Sequence, residues 1–203
     1  FGTKDIDNLK VFNDVIEIGG LGNFSATDLS KRLAGKKVSC ALSLSQDSEN
    51  VNGMAAPSDL RTLFELIYLS FTAPRMDEEA YASFETRTKA QLQNMELNPM
   101  VAFSDSLSKA VYGDNPRASR LRPQDFEHIS YPRIKERFSD ASGFVFTFVG
   151  NIQIDSIRPY IEQYLATLPS QGKIEKGNPA EVPSMRKGDY MNRFNRSMEI
   201  PKV

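Results

Sequence analysis

The fold is decided by the stretch Phe144-Val-Phe-Thr-Phe-Val-Gly-Asn-Ile-Gln-Ile-Asp-Ser-Ile-Arg-Pro-Tyr-Ile-Glu-Gln-Tyr-Leu-Ala-Thr-Leu-Pro169. Its first residues are aromatic or β-branched, which predicts a buried strand over Phe144–Val149. A glycine turn follows at Gly150, and apolar residues then recur at helical spacing, which predicts a helix over Ile154–Leu165. The inward face of that helix is formed by Ile157, Ile161, Tyr164, Leu165 and Leu168.

Upstream of this unit the sequence mixes helical and strand-like stretches. Two alternating runs, Val38–Ser45 and Val51–Ala56, flank a polar turn and predict a β-hairpin. Because the elements do not follow a regular βαβ order, the expected class is α+β. Helices are predicted over Ile6–Ile18, from a cap at Ser25 or Thr27 to Gly35, from Ser58-Asp59 to Phe71, from Asp77 to Glu96, from Asn98-Pro99 to Tyr112, and as two short pieces between Pro123 and Phe138 that are interrupted at Tyr131-Pro132.

Composition and charge exclude several classes of protein. The net charge of −1 and the pI near 6.0 give no basic surface for nucleic acid. No apolar run approaches the ~20 residues that a transmembrane helix needs. The chain begins at Phe1, which favours an excised or processed piece, so the compartment stays open between the cytoplasm and the periplasm or cell envelope of a bacterium.

Cys40 and His128 are each the only residue of their type, and both are weak candidates for chemistry. In a predicted strand, Cys40 shares one face with Val38, Leu42 and Leu44, which alternate with smaller or polar residues. This pattern favours a buried thiol over a catalytic pair with His128. A zinc site normally needs three or four protein ligands, so a single histidine is a poor basis for one. The glycine-rich stretch Gly20–Ser25 and the acidic turn Asp47–Gly53 lack the residues that complete a nucleotide-binding or calcium loop.

The order of several segments resembles the pitrilysin/insulinase family of zinc metallopeptidases, the inverzincins. The resemblance covers most of the chain. Its segments are Gly19-Gly-Leu-Gly-Asn-Phe-Ser-Ala-Thr-Asp-Leu-Ser-Lys-Arg-Leu-Ala-Gly-Lys36, Gly53-Met-Ala-Ala-Pro-Ser-Asp-Leu-Arg-Thr-Leu-Phe64, Tyr112-Gly-Asp-Asn-Pro-Arg117 and Phe146-Thr-Phe-Val-Gly-Asn151. It implies a metallohydrolase-like domain of the pitrilysin and mitochondrial processing peptidase type, with a mixed or antiparallel sheet of about four to six strands and helices on one face.

The positions of the family's zinc ligands are degenerate in this sequence. Such enzymes bind zinc through H-x-x-E-H on the helix before the glycine turn, and here that helix carries Lys10, Asn13 and Asp14 at the corresponding polar positions. The third ligand, a glutamate, would fall near Gln91. A lysine repels Zn²⁺ and glutamine is a weaker ligand than carboxylate, so we predict that this chain binds no metal and carries no catalytic residue.

The resemblance therefore implies a non-catalytic domain from the C-terminal half of such an enzyme. Residues 1–170 would form the domain, and 171–203 would be a linker or the first element leading to the next domain, with 188–200 as the passage into it. Zinc is expected in a catalytic half, which would be the partner together with a peptide substrate, whose contacts on this chain the sequence does not assign. The alternatives are a purely structural or docking subunit that partners a separate catalytic chain and an independent metalloenzyme using His128. Self-association of the isolated fragment is left open.

Overall fold

The secondary structure of the chain is described by a computed structural model for residues 2–174, 176–178 and 182–193. Short 3₁₀ turns precede or connect several of the helices, and a π-helical turn, Ile161–Leu165, continues the last one. In chain order the main elements are α1 (Ile6–Val15), α2 (Ala26–Leu33), β1 (Val38–Leu44), β2 (Glu49–Ala55), α3 (Leu60–Thr72), α4 (Glu78–Glu96), α5 (Pro99–Tyr112), α6 (Tyr131–Glu136) and α7 (Ile154–Tyr160).

Local capping groups explain why the predicted helices begin where they do. Ser25 accepts a hydrogen bond from the amide of Asp28 at the start of α2, and Asn98 accepts one from the amide of Met100 at the start of α5. The predicted interruption at Tyr131-Pro132 is misplaced, because these two residues open α6 behind the cap Ser130. A proline is favoured at the first turn of a helix, since its missing N–H would have no partner there.

The predicted sheet is the main correction. The α+β class holds, but within the described residues there is one two-stranded antiparallel sheet, in which Val38 pairs with Ala55 and Leu44 with Glu49. The prediction of a strand over Phe144–Val149 is wrong, because no other strand in the described part of the chain pairs with this segment. A strand is defined by hydrogen bonds to a neighbour, so a periodic sequence can fix the extended backbone without supplying the partner.

The chain divides into two compact units, which are described separately. The first contains residues 1–10, 82–129 and 178–203, and the second contains 11–81 and 130–177. The predicted boundary at residue 170 stays a prediction, and the part of the predicted passage beyond residue 193 lies outside the described residues.

The second unit contains most of the buried apolar side chains. In this unit α3 packs against both strands of the hairpin. A group of aromatic rings from α1, α3 and the segments after α6 fills the centre. Its fully buried rings belong to Phe12, Phe64, Phe71 and Phe138.

The first unit has fewer buried apolar side chains among its described residues. Phe84 and Phe126 are buried in contact with one another, with ring centroids 6.3 Å apart. Two described residues near the C-terminus contact α5, where the amide of Arg186 donates to the carbonyl of Val111 and the side chain of Asn192 donates to Ser106. None of the described helices is both long enough and apolar enough to serve as a membrane span.

Gly19 is required by the close approach of two backbone segments in the second unit. A Cβ at this position would lie 1.9 Å from the carbonyl oxygen of Arg75. We expect Gly19→Ala to lower the free energy of unfolding by about 1–3 kcal/mol, because the Arg75 backbone would have to move. Gly177→Ala is the matched control, since its Cβ would meet no atom within 4 Å. Urea unfolding of both variants checks this, and equal stabilities would contradict the close approach.

Candidate functional site: the degenerate metal position

Lys10 lies in a small polar cluster in the first unit. Its Nζ is 2.9 Å from Oδ1 of Asp7, 3.6 Å from Oδ2 of Asp125 and 3.2 Å from Oγ of Ser119. Asp125 is itself fixed, because its carboxylate accepts the amide of Arg122 at the start of a 3₁₀ turn. The exposed His128 places Nδ1 3.5 Å from the other oxygen of Asp7. An ammonium group thus lies between two carboxylates at the position where the resemblance places a metal ligand.

These residues do not fit a zinc ion. The carboxylates of Asp7 and Asp125 already have a cation between them, and a second positive charge there would be repelled. Within the described residues, no group of three or more histidine, cysteine or acidic side chains is arranged to hold a metal ion.

The other predicted positions have separate surroundings. Asn13, in the second unit, donates to the carbonyl of Leu44 at 3.1 Å and accepts from the amide of Leu44 at 2.9 Å. It therefore acts as a backbone partner at the end of β1. Asp14 and Gln91 are exposed on α1 and α4, respectively.

Cys40 lies in β1 of the second unit, half-buried. Burial raises the pKa of its thiol to about 11, although a hydrogen bond with Ser70 acts in the opposite direction. A nucleophilic cysteine needs a lowered pKa, so this environment favours an inert thiol.

This environment makes the reactivity of Cys40 testable. With a pKa of about 11, only a small fraction of the thiol is ionised at pH 8. We expect iodoacetamide to alkylate the folded chain about 100-fold more slowly than the chain unfolded in urea. Mass spectrometry of the reaction over time gives both rates. Equal rates would show that the thiol is exposed and active.

A cavity of about 210 Å³ in the first unit was not visible in the sequence. Arg120 places Nε 2.9 Å from Asp105, and it also approaches Glu96 at 3.4 Å. Arg122 lies 3.7 Å from the same Asp105. The lining of the cavity therefore carries two arginines and two carboxylates. Their charges cancel, so the cavity has no net charge that would attract an anion. Its lining residues are Glu96, Val101, Ala102, Asp105, Arg120 and Arg122.

One face of α5 in the first unit is apolar and exposed. Met100, Phe103 and Leu107 recur at helical spacing along it, and each is exposed. Leu97 lies exposed just before the helix begins. Contiguous exposed apolar surface is typical of interaction sites.

Comparison with known proteins finds similarity to zinc proteases. No protein-family profile matches the chain. A probable zinc protease, PqqL, from Haemophilus influenzae is 19% identical over 196 residues, which cover 93% of this chain and 21% of that protein. The chain is thus similar to a probable zinc protease, and it spans about a fifth of the length of this relative.

Solved structures support the same relationship at the level of fold. The ferredoxin protease FusC, in complex with Arabidopsis ferredoxin, matches with a TM-score of 0.72 and 16% identity over 91% of this chain and 21% of its own. The periplasmic protease PqqL from Escherichia coli matches with a TM-score of 0.70 and 18% identity over 88% of this chain and 20% of its own.

A third structure is the inactive domain of a peptidase M16 from Pseudomonas fluorescens. It matches with a TM-score of 0.61 and 18% identity over 87% of this chain and 46% of its own. The predicted resemblance to a non-catalytic domain of this family is therefore confirmed, whereas the predicted number of strands is not.

Proposed function

We propose that this chain is a non-catalytic domain of a bacterial zinc endopeptidase and forms part of the wall around its substrate. The observation that carries the proposal is the position of Lys10. Its ammonium group lies between Asp7 and Asp125, where a catalytic domain would need a zinc ligand. Zinc and the water-activating base would then belong to a catalytic half in the same, longer polypeptide, which we call the parent polypeptide.

The role of the chain in proteolysis would be binding and orientation. Holding a peptide against the catalytic half lowers the entropic cost of reaching the reactive geometry. The apolar face of α5 is the surface of the first unit best suited to peptide side chains, since Phe103 and Leu107 are exposed there. FusC in complex with ferredoxin supports a polypeptide as the ligand, and the periplasmic PqqL supports a periplasmic location.

The test mixes the purified chain with the separately purified catalytic half. We expect peptide hydrolysis by the mixture to exceed that of the catalytic half by at least about tenfold in kcat/KM, because the peptide is bound on both sides. The zinc content of the catalytic half should not change. A chain that binds the catalytic half but leaves kcat/KM unaltered would instead be a docking subunit.

A variant in α5 tests whether the apolar face of this helix contacts the peptide. We expect Phe103→Ser in the reconstituted enzyme to raise KM for peptide and leave kcat and zinc content unchanged. Met54→Ser, at an exposed residue of β2, is the control and should leave KM unchanged. If Phe103→Ser leaves KM at the wild-type value, α5 does not contact the peptide.

A further inference from the structure

The segment Phe144–Val149 in the second unit has one face covered and one face open. Phe144 and Phe146 contact Phe71 on α3, with ring centroids 5.2 and 6.4 Å away, and Phe148 stacks on Phe64 at 5.4 Å. The alternate residues point outward, since Val145 is 88% exposed and Val149 is 92% exposed. This alternation is the period of a β-strand with one buried face.

In this segment the amide of Phe144 donates to the carbonyl of Ala141, and the backbone groups after it have no hydrogen-bond partner in the described part of the chain. Neither the amides nor the carbonyls of residues 145–149 are bonded to another described group. Backbone groups of strands are normally paired, and exposed edges are usually protected by charge, proline or a bulge. Residues 144–149 include no charged residue and no proline. The segment therefore has the composition of an internal strand, not of an edge.

In the same unit, the side of β1 that faces away from β2 is a second edge without a neighbouring strand among the described residues. Because Asn13 binds both the amide and the carbonyl of Leu44, these groups point away from β2. Alternate residues of a strand point their backbone groups to the same side, so Val38, Cys40 and Leu42 also present theirs away from β2. Both open edges belong to extended segments that pack on α3.

We propose that a β-strand from outside these 203 residues pairs with Phe144–Val149 and that the rest of the parent polypeptide supplies it. The proposal rests on the proposed function, because it requires a longer polypeptide. In the related inactive-domain structure this chain accounts for 46% of the length, so more than half of that chain lies outside the match. The added strand would be neutral and would carry apolar side chains toward α3, continuing the face formed by Phe144, Phe146 and Phe148.

Hydrogen–deuterium exchange followed by mass spectrometry tests this in the parent polypeptide and in the 203-residue chain. We expect amides within residues 145–149 to exchange at least about 100-fold more slowly in the parent polypeptide than in the shorter chain. The amides of α3 are the internal control and should be protected in both samples.

Three results would overturn the inference. The first is fast exchange of residues 145–149 in the parent polypeptide. The second is protection in the shorter chain that grows with its concentration, which would make a second copy the partner. The third is protection in the shorter chain at every concentration, which would place the partner within these residues.

Peptide hydrolysis by the same parent sample separates this inference from the proposed function. A parent polypeptide that hydrolyses peptides but leaves residues 145–149 unprotected contradicts the inference alone. A parent polypeptide that protects them but has neither zinc nor activity contradicts the proposed function alone.

Discussion

Phe71→Ala should lower the free energy of unfolding by about 3–5 kcal/mol, the range for truncating a fully buried aromatic ring. Phe71 is 2% exposed and lies at the centre of the aromatic group of the second unit. Its ring is 5.8 Å from that of Phe138 and 5.2 Å from that of Phe144. Removing it leaves a cavity between α3 and the segment Phe144–Val149, and urea unfolding followed by circular dichroism measures the loss.

Phe24→Ala is the matched control for this change. It removes the same side chain from the same unit, but Phe24 is 41% exposed, so we expect a loss of about 1 kcal/mol or less. If the two variants were equally stable, the aromatic group would not be the centre of this unit.

Lys135 should make the stability of the chain rise with pH above pH 8. The side chain is 2% exposed, and Nζ donates to the carbonyl of Ile16 beyond the end of α1. Burial lowers the pKa of Lys135 to about 8, with Arg75 acting in the same direction and Glu17 opposing both. Between about pH 8 and the ordinary pKa of 10.5, the unfolded chain binds the extra proton, so the free energy of unfolding rises with pH.

The measurement compares the wild type with Lys135→Met at pH 7.5 and pH 9.5. We expect the stability difference between the two proteins to shift in favour of the wild type by roughly 2 kcal/mol over this interval. The variant is compared with the wild type because Cys40 has the opposite effect on stability above pH 9. The raised pKa of its thiol means that the folded chain binds this proton more tightly than the unfolded chain, so the free energy of unfolding falls as pH rises. Cys40→Ser should therefore give a steeper rise than the wild type. Parallel pH profiles for the wild type and Lys135→Met would contradict the buried position of Lys135.

The helices were predictable because their signals are local. Caps such as Ser25 and Asn98 satisfy amides within three residues of themselves, so the sequence around each helix contains its own boundary. The resemblance to pitrilysin-type peptidases was also predictable, because it depends on the order of short segments along the chain.

The sheet was less predictable because pairing is a property of two segments. The alternation in Phe144–Val149 correctly indicated an aromatic inner face, but it could not show whether a neighbouring strand exists to pair with this segment. The pairing of β1 with β2 could be predicted from the sequence because a short turn joins the two strands.

The residue type at Lys10 could be interpreted from the sequence, but the groups around it could not be predicted. The sequence identified Lys10 as a residue incompatible with zinc, but its contacts with Ser119 and Asp125 join residues more than a hundred positions apart. Nothing local in the sequence brings these groups together. The ion pairs of Asp105 with Arg120 and Arg122 also join different segments, so no local sequence pattern predicts them.

Whether this chain serves a zinc peptidase without holding the metal can be measured from its own zinc content. The purified chain is dialysed against a weak chelator, and peptide hydrolysis is assayed on the same sample. We expect less than about 0.1 zinc per chain and no hydrolysis above buffer, because the ammonium group of Lys10 already lies between the carboxylates of Asp7 and Asp125. Retention of about one zinc per chain together with hydrolysis, both lost in His128→Ala, would contradict it.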